Sequence, residues 1–176
     1  MARLKGGTDI YLGLGSNMGD REAHIRWCLG ELPRKGIRVT QISQIYETSP
    51  VGMHPEAGLF LNAVCRCETL LAPLALLQAV KSIERDRGRF VSDSYSSRVL
   101  DIDILLYGDY EVNVGELTIP HPRMFSRAFV LAPLADLAPC LEDPVTKLTV
   151  RQTLVGLSSG PDTIRRRETS ESTEGS

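Results

Sequence analysis

The order of strand and helix patterns predicts an α+β domain with the βαββαβ core of ferredoxin-like folds, extended by a further C-terminal strand and short helices. Two observations support this prediction. Apolar segments of strand length alternate in that order with two segments that carry helix signals, and the 176 residues are 42% hydrophobic. A chain of this size buries one core, so we expect one domain over residues 8–160, a flexible N-terminus over 1–7 and a disordered polar tail over 161–176.

The first half of the chain is expected to form a strand, a helix and two further strands. In chain order these elements cover residues 9–14, 21–32, 37–46 and 59–67. Asp20 is placed to cap the helix, because its carboxylate can accept hydrogen bonds from N–H groups of the first turn. Pro33 and Gly36 end the helix, and a run that contains proline and glycine, 48–52, ends the second strand pattern.

The second half is expected to form a second helix, a fourth strand and shorter elements. Pro73 suits the first turn of the helix, and Gly88 suits its end. Apolar residues at helical spacing lie between them: Leu74, Leu76, Leu77, Val80 and Ile83. A strand over 100–107 follows, with shorter strand material over 111–119 and short helices over 124–137.

Composition argues against several functional classes. The net charge of −2 disfavours a nucleic-acid partner, which normally needs a basic face. No apolar run approaches the ~18 residues of a membrane span, and the start of the chain lacks a signal-peptide core, so we expect a cytoplasmic protein. The four cysteines lack the spacing of zinc or redox sites, and the pair Cys65 and Cys67 shares one face of a strand, which predicts small core residues.

The segment 98–108 is the most informative part of the chain. Asp101 and Asp103 lie in an apolar run of strand character, so their carboxylates share one face, roughly 6.6 Å apart along the strand. Two like charges on one face favour a bound cation, and such pairs hold one or two Mg²⁺ ions against polyphosphate oxygens. Arginines just upstream, Arg89 and Arg98, would neutralise further charge. An edge strand with solubilising acids is the alternative interpretation.

A glycine turn after the first strand raises a second alternative. Gly13, Gly15 and Gly19 resemble a dinucleotide-binding fingerprint, but their spacing is off by one residue and no acidic residue follows at the required distance. We therefore expect no nicotinamide cofactor, and we interpret these glycines as serving packing and backbone geometry.

Five blocks of the sequence match, in order, those of a known family. They cover residues 13–17, 46–52, 60–64, 98–108 and 119–134. Together they resemble the 6-hydroxymethyl-7,8-dihydropterin pyrophosphokinase (HPPK) family of folate biosynthesis, over about residues 8–150. The last two blocks are the most specific.

The resemblance implies a defined reaction. Members of this family transfer the terminal diphosphate of ATP to the hydroxymethyl oxygen of the pterin, so that attack falls on the β-phosphorus and AMP leaves. The resemblance further implies that Asp101 and Asp103 hold two Mg²⁺ ions and that the partners are small-molecule substrates. We expect a monomer that binds neither nucleic acid nor membrane.

The resemblance also assigns residues to the nucleotide. Arg89 and Arg98 match arginines that contact the ATP phosphates, and we assign them the catalytic role of charge neutralisation. Glu84, His121 and Arg127 match positions near the nucleotide. Taken alone, Glu84 can equally be an exposed helical acid, and a lone histidine such as His121 is more often structural.

A second set of residues is assigned to the pterin. A flat heterocycle needs aromatic faces above and below it, and an amide or backbone edge in its plane. By match, Phe60 and Phe129 stack on the ring, while Asn62 and the backbone of Thr48 and Val51 read its edge. Without the resemblance, the two phenylalanines would be interpreted as core residues.

One loop departs from the family pattern and leaves two alternatives open. Val91 replaces an arginine, and the run 94–97, which includes Tyr95, replaces a sequence of the Arg-Trp-Gly-Pro-Arg type and is one residue shorter. The alternatives are a catalytically impaired homologue that still binds pterin or nucleotide, and a ferredoxin-like regulatory module that binds a small ligand without chemistry. AMP formation tests the first, and the aspartate pair argues against the second.

Overall fold

The computed structural model describes residues 5–49, 58–88, 99–157 and 164–167. Short 3₁₀ turns at Pro33–Lys35 and Met124–Ser126 accompany the longer elements. In chain order these elements are β1 (Thr8–Ser16), α1 (Arg21–Glu31), β2 (Ile37–Ile42), β3 (Tyr46–Thr48), β4 (Phe60–Thr69), α2 (Pro73–Asp86), β5 (Asp101–Tyr107), β6 (Val112–Val114), β7 (Leu117–Ile119), α3 (Ala128–Leu137), α4 (Val150–Leu157) and β8 (Ile164–Arg166). Within the described ranges, no helix has the length and apolar character needed to cross a membrane.

Six of the strands form one antiparallel sheet. The order across it begins β5-β1-β4; β2 and β3 then lie one after the other along the next edge of β4, and β8 pairs with β3. Strands β6 and β7 form a separate hairpin. With α1 after β1 and α2 after β4, this is the βαββαβ arrangement that the sequence predicts, so the predicted fold class is confirmed.

The strand predicted over 37–46 is two strands in the structure. β2 ends at Ile42 and β3 begins at Tyr46, with Ser43 between them. The Ser43 N–H donates to the Val64 carbonyl (2.9 Å), and the Val64 N–H donates to Ser43 Oγ (2.9 Å). The serine side chain therefore replaces a backbone acceptor at the break, and β3 continues along the same edge of β4.

The sheet buries a different apolar cluster on each face. α1 and α2 cover one face, where Ile10, Leu12 and Ile83 are fully buried. α3 and α4 cover part of the other face, around Val64 and Leu131. Each large apolar side chain removed from water contributes roughly 1.5–3 kcal/mol, so both clusters stabilise the sheet between them.

Most local signals for helix ends and core residues are confirmed. Asp20 Oδ1 accepts the Ala23 N–H at 3.0 Å, and Cys65 and Cys67 are fully buried. The apolar stripe of α2 is wrong at Leu74, which is 50% exposed. At about 100° per residue, Leu74 lies roughly 160° around the helix from the buried Leu76, so it cannot face the same cluster.

β8 lies inside the segment that composition predicts to be disordered. Ile164–Arg166 pair with Tyr46–Thr48, and the Arg167 N–H donates to the Ile45 carbonyl at 2.9 Å. Arg167 also forms an ion pair with Glu22 at 3.3 Å. The prediction of a disordered tail is wrong at these residues, because composition does not register an open strand edge that a polar segment can join.

Candidate active site

Cross-strand register brings polar side chains of several strands into one row. Gly15 in β1 pairs with Asn62 in β4 on one side and with Asp101 in β5 on the other, and Tyr46 in β3 pairs with Asn62 in turn. Residues directly opposite each other point to the same face of a sheet. Neighbouring strands lie about 4.8 Å apart, which places the backbones of Asn62 and Asp101 roughly 9.6 Å apart across Gly15.

The aspartate pair lies on the same face as this row. Asp101 and Asp103 are partly exposed, whereas Ile102 and Ile104 are buried in the cluster on the opposite face, so both carboxylates share one face as the alternation predicts. In the part of the chain that the structure describes, no group of three His, Cys, Asp or Glu side chains could hold a metal ion. Two hard oxygen donors that leave room for water and phosphate oxygens are a ligand set that suits Mg²⁺.

Glu84 is buried behind the aspartate pair. It lies on α2, is 4% exposed, and its Oε1 accepts the N–H of Ile102 at 2.8 Å. Ile102 stands between Asp101 and Asp103 on β5, whose outer N–H groups pair with no other strand of the described residues. The alternative of an exposed helical acid is therefore wrong, and Glu84 supports the backbone that carries the two carboxylates.

A β-bulge anchors His121 beside β5. The pairing of β1 with β5 shifts between Tyr11 and Leu12, and this shift leaves Leu105 as the extra residue of β5. The carbonyl of Leu105 accepts the His121 N–H at 2.9 Å. The segment that follows β7 is thus held close to the aspartate pair.

The contacts of His121 determine its tautomer and charge. Nδ1 accepts the Arg123 N–H (3.2 Å), so the neutral ring carries its proton on Nε2, which lies 3.9 Å from Asp103 Oδ1. Burial lowers the pKa of His121 below its ordinary value of 6.5; Asp103 opposes this shift, and Arg127 and Arg123 add to it. At neutral pH the ring is therefore an uncharged N–H donor at the aspartate end of the site.

A cavity of about 300 Å³ opens beside the aspartate pair, between α2, β5 and β7. Its lining combines an apolar wall with a few convergent polar groups, which is typical of small-molecule sites. The apolar wall comprises Leu77, Val80, Ile104 and Leu117, and the polar groups include Lys81, Glu84, Asp101, Asp103 and His121.

The β4 end of the row carries a buried polar pair. Asn62 is 7% exposed, and its Nδ2 donates to Thr48 Oγ1 at 2.7 Å. Phe60 pairs with Thr48 across the strands and so points to the same face. The structure thus brings these three predicted pterin residues together, and the hydroxyl of Thr48, which the sequence interpretation did not use, holds the amide.

Phe129 and Arg127 reach this face from α3. The helix begins at Ala128 and packs on β4 and β3. The Phe129 ring packs, partly buried, against the cluster around Val64, and the Arg127 guanidinium lies 5.4 Å from the ring centroid, within cation–π range. Like Phe60, the Phe129 side chain is only partly buried.

Sequence reasoning missed a contact that joins α3 to the strand break. Asp136 accepts the Tyr46 hydroxyl at 3.1 Å and the Gln44 N–H at 3.0 Å. Burial raises the pKa of Tyr46, and the Asp136 carboxylate raises it further. Asp136 and Tyr46 are 90 positions apart in the chain, and no local pattern marks either residue.

Three predicted site residues lie outside the described residues: Arg89, Arg98 and Val51. The departing loop, with Val91 and the run 94–97, lies outside them as well. The roles assigned to these residues stay predictions from the sequence.

Comparison with known protein families shows to which family the chain belongs. Residues 11–139 match the family model described as 7,8-dihydro-6-hydroxymethylpterin-pyrophosphokinase (HPPK). The chain belongs to this family. Its sequence is 40% identical over 143 residues to the 2-amino-4-hydroxy-6-hydroxymethyldihydropteridine pyrophosphokinase of Bacillus subtilis, covering 81% of this chain and 85% of that relative.

The sequence also matches parts of longer proteins. It is 46% identical over 129 residues to the mitochondrial folate synthesis bifunctional protein of Arabidopsis thaliana, covering 73% of this chain and 23% of that protein. It is 41% identical over 150 residues to the folic acid synthesis protein fol1 of Schizosaccharomyces pombe, covering 85% of this chain and 20% of that protein. The chain thus spans about a fifth to a quarter of these longer relatives.

Solved HPPK domains share the fold. A crystal structure of a Plasmodium falciparum HPPK-DHPS variant matches with a TM-score of 0.71 at 17% identity, covering 87% of this chain and 46% of that chain. The wild-type P. falciparum protein, crystallised with pterin and p-hydroxybenzoate, matches with a TM-score of 0.71 at 18% identity, covering 90% and 44%. Likeness at this identity concerns the fold alone.

Proposed function

We propose that this protein is an ATP-dependent diphosphokinase of folate biosynthesis. It transfers the β,γ-diphosphate of ATP to the hydroxymethyl group of 6-hydroxymethyl-7,8-dihydropterin and releases AMP. In addition to family membership, one structural observation supports the proposal. The row of Asp101, Gly15 and Asn62 sets a carboxylate pair and a buried amide on either side of a single strand, where a metal-bound nucleotide and a pterin can meet.

The reaction forms one bond and breaks one bond. The hydroxymethyl oxygen of the pterin attacks the β-phosphorus, and the bond from that phosphorus to the oxygen that bridges to the α-phosphorus breaks. AMP keeps the bridging oxygen, and the hydroxyl proton passes to solvent. Holding the nucleotide beside β5 and the pterin beside β4 turns an encounter of two molecules into a reaction between positioned groups.

Asp101 and Asp103 would hold the Mg²⁺ that accompanies ATP, and we expect two ions. Bound Mg²⁺ supplies charge neutralisation to the polyphosphate. Glu84 keeps the backbone between the two carboxylates in place through its bond to the Ile102 N–H. The backbone that carries the two carboxylates is therefore held in place before the nucleotide binds.

We place the nucleotide in the cavity between α2, β5 and β7. The apolar wall suits a base, and His121 Nε2–H is an uncharged donor for a phosphate oxygen at the aspartate end. Arg127 lies near the same histidine, and Arg89 and Arg98 are assigned further phosphate contacts, since guanidinium groups stay charged in any surroundings. We attribute catalysis to positioning and charge neutralisation rather than to a dedicated base.

The pterin is assigned to the β4 end of the row. Asn62 can donate and accept hydrogen bonds in the plane of a heterocycle, and Thr48 fixes the orientation of its amide. Phe60 and Phe129 supply aromatic faces from β4 and α3, and the backbone near Val51 completes the edge contacts.

The nucleotide product distinguishes this proposal from its alternatives. With purified protein, ATP, Mg²⁺ and the pterin, we expect AMP and the pterin diphosphate to form in equal amounts. ³¹P NMR of the reaction mixture measures both products. ADP in place of AMP would contradict attack at the β-phosphorus. Binding of both ligands without turnover would favour a catalytically impaired homologue. Ligand binding whose affinity does not depend on Mg²⁺ would favour a regulatory module.

The protein is further proposed to act as a cytoplasmic monomer without nucleic-acid or membrane partners. This part of the proposal rests on composition and charge. Light scattering of the purified protein tests the monomer directly.

A further inference from the structure

Gly15 stands at the centre of the row, although its backbone does not require glycine. Its φ lies outside the left-handed region, unlike that of Gly19 in the following turn. It is paired on both sides, with Asn62 and Asp101. Glycine inside a strand costs more conformational entropy on folding than alanine does. The reason for glycine here therefore lies in the space that a side chain would take.

A Cβ atom at Gly15 would meet the Asn62 amide. Among the described residues, Asn62 Oδ1 would lie 3.3 Å from it, tighter than most contacts that Cβ atoms make, so the amide oxygen would have to move by a few tenths of an ångström. The amide has little freedom to move away, because Nδ2 donates to Thr48 Oγ1 at 2.7 Å and Asn62 is 7% exposed. A methyl group at Gly15 must therefore turn the amide or strain its bond to Thr48.

We infer that Gly15 is a positioning residue for the Asn62 amide. The missing Cβ lets Oδ1 lie against β1 while Nδ2 stays bonded to Thr48, so the plane of the amide is set from both sides. This plane must match the edge of the bound heterocycle for both ring hydrogen bonds to form. The inference rests on the proposed function, in which Asn62 reads the pterin.

Gly13 provides the matched control within the same strand. It lies two residues from Gly15 on the same face, but a Cβ there would lie 3.6 Å from the apolar side chain of Leu105. That distance is an ordinary van der Waals contact with a carbon atom. The two Gly→Ala substitutions thus add the same methyl group to the same strand, and only one of them meets the amide.

Calorimetry with the pterin, in the presence of Mg²⁺ and a non-hydrolysable ATP analogue, tests the inference. Gly15→Ala should weaken pterin binding at least about tenfold and leave binding of the ATP analogue within about twofold, while Gly13→Ala should change neither by more than about twofold. The urea midpoint of Gly15→Ala should stay close to that of wild type, because the better strand propensity of alanine offsets the cost of displacing the amide. If Gly15→Ala only damaged the fold, it would lower the urea midpoint and weaken the binding of both ligands.

A double-variant cycle shows whether Gly15 acts through Asn62. In an Asn62→Ala background, adding Gly15→Ala should cause no further loss of pterin affinity, since the amide that the methyl group displaces is gone. Equal losses in both backgrounds, or wild-type affinity in Gly15→Ala, would overturn the inference and leave the proposed function intact. Absence of pterin binding by the wild-type protein would overturn both.

Discussion

The three carboxylates of the site occupy two different settings. Asp101 and Asp103 are partly exposed on the face that carries the proposed substrate site, whereas Glu84 is buried and accepts the N–H of the residue between them. The first two carboxylates can contact cations, whereas Glu84 holds the backbone of β5 through its bond to the Ile102 N–H. Substitutions at these positions should therefore fail in different ways, one kind in catalysis and the other in stability.

Asp101→Asn and Asp103→Asn should each lower kcat by about 10³-fold or more. Loss of a metal ligand costs several kcal/mol of transition-state stabilisation, and each 1.4 kcal/mol is about tenfold in rate. The urea midpoints should stay near that of wild type, because asparagine keeps the size of aspartate. Asp109→Asn, at an exposed position just after β5, is the matched control and should keep full activity. A near-normal rate in either site variant contradicts the metal assignment.

Glu84→Ala should lower the free energy of unfolding by about 1–3 kcal/mol, because it leaves the buried Ile102 N–H without its acceptor. Glu84→Gln keeps an amide oxygen in that place and should lose clearly less. Urea unfolding of the two variants measures the difference. If both lose the same amount, the charge of Glu84 and not the hydrogen bond is what stabilises β5.

Among the elements, the short strand β3 holds together the end of the site that we propose for the pterin. It pairs with β4 on one side and with β8 on the other, and Asp136 ties its first residue to α3. Thr48, at the end of β3, fixes the Asn62 amide. Contacts made far from the proposed pterin site can therefore influence the orientation of the Asn62 amide.

Tyr46→Phe should change how stability depends on pH. Burial and Asp136 raise the pKa of Tyr46 above its ordinary value of 10.0, so the folded state holds the hydroxyl proton more tightly than the unfolded chain does. The stabilisation that comes from this tighter proton binding is fully present below pH 10. It is lost as pH rises through the pKa that Tyr46 has in the folded state. The free energy of unfolding should therefore fall less steeply above pH 10 in Tyr46→Phe than in wild type. Tyr110→Phe, which removes a hydroxyl from an exposed ring, is the matched control.

Two truncations test the contribution of β8. Ending the chain after Leu157 removes β8, whereas ending it after Arg167 keeps the strand and its bond to Ile45. The shorter chain should lose roughly 1–3 kcal/mol of unfolding free energy, since a few backbone hydrogen bonds of about 0.5–1.5 kcal/mol each disappear. Its KM for the pterin should rise several-fold while KM for ATP stays unchanged. Identical behaviour of the two truncations would show that β8 does not support β3.

For the whole molecule, the features that sequence predicts are those that depend on near neighbours. Alternation places Asp101 and Asp103 on one face, and the order of strand and helix patterns yields the βαββαβ arrangement. The burial of Glu84, the bond from Asp136 to β3 and the strand over 164–166 depend on segments that meet only in the fold. Periodicity and composition do not predict contacts between segments that are distant in the sequence. The blocks that match the family identify site residues but not the contacts that support them.

In the proposed mechanism the reaction takes place across Gly15, with metal and nucleotide on one side and the pterin on the other. A crystal structure of the protein with Mg²⁺, a non-hydrolysable ATP analogue and 6-hydroxymethyl-7,8-dihydropterin tests it most directly. We expect Mg²⁺ on Asp101 and Asp103, the pterin edge on Asn62, and the hydroxymethyl oxygen facing the β-phosphorus above Gly15. A pterin bound away from Asn62, or a metal ion that contacts neither aspartate, would contradict it.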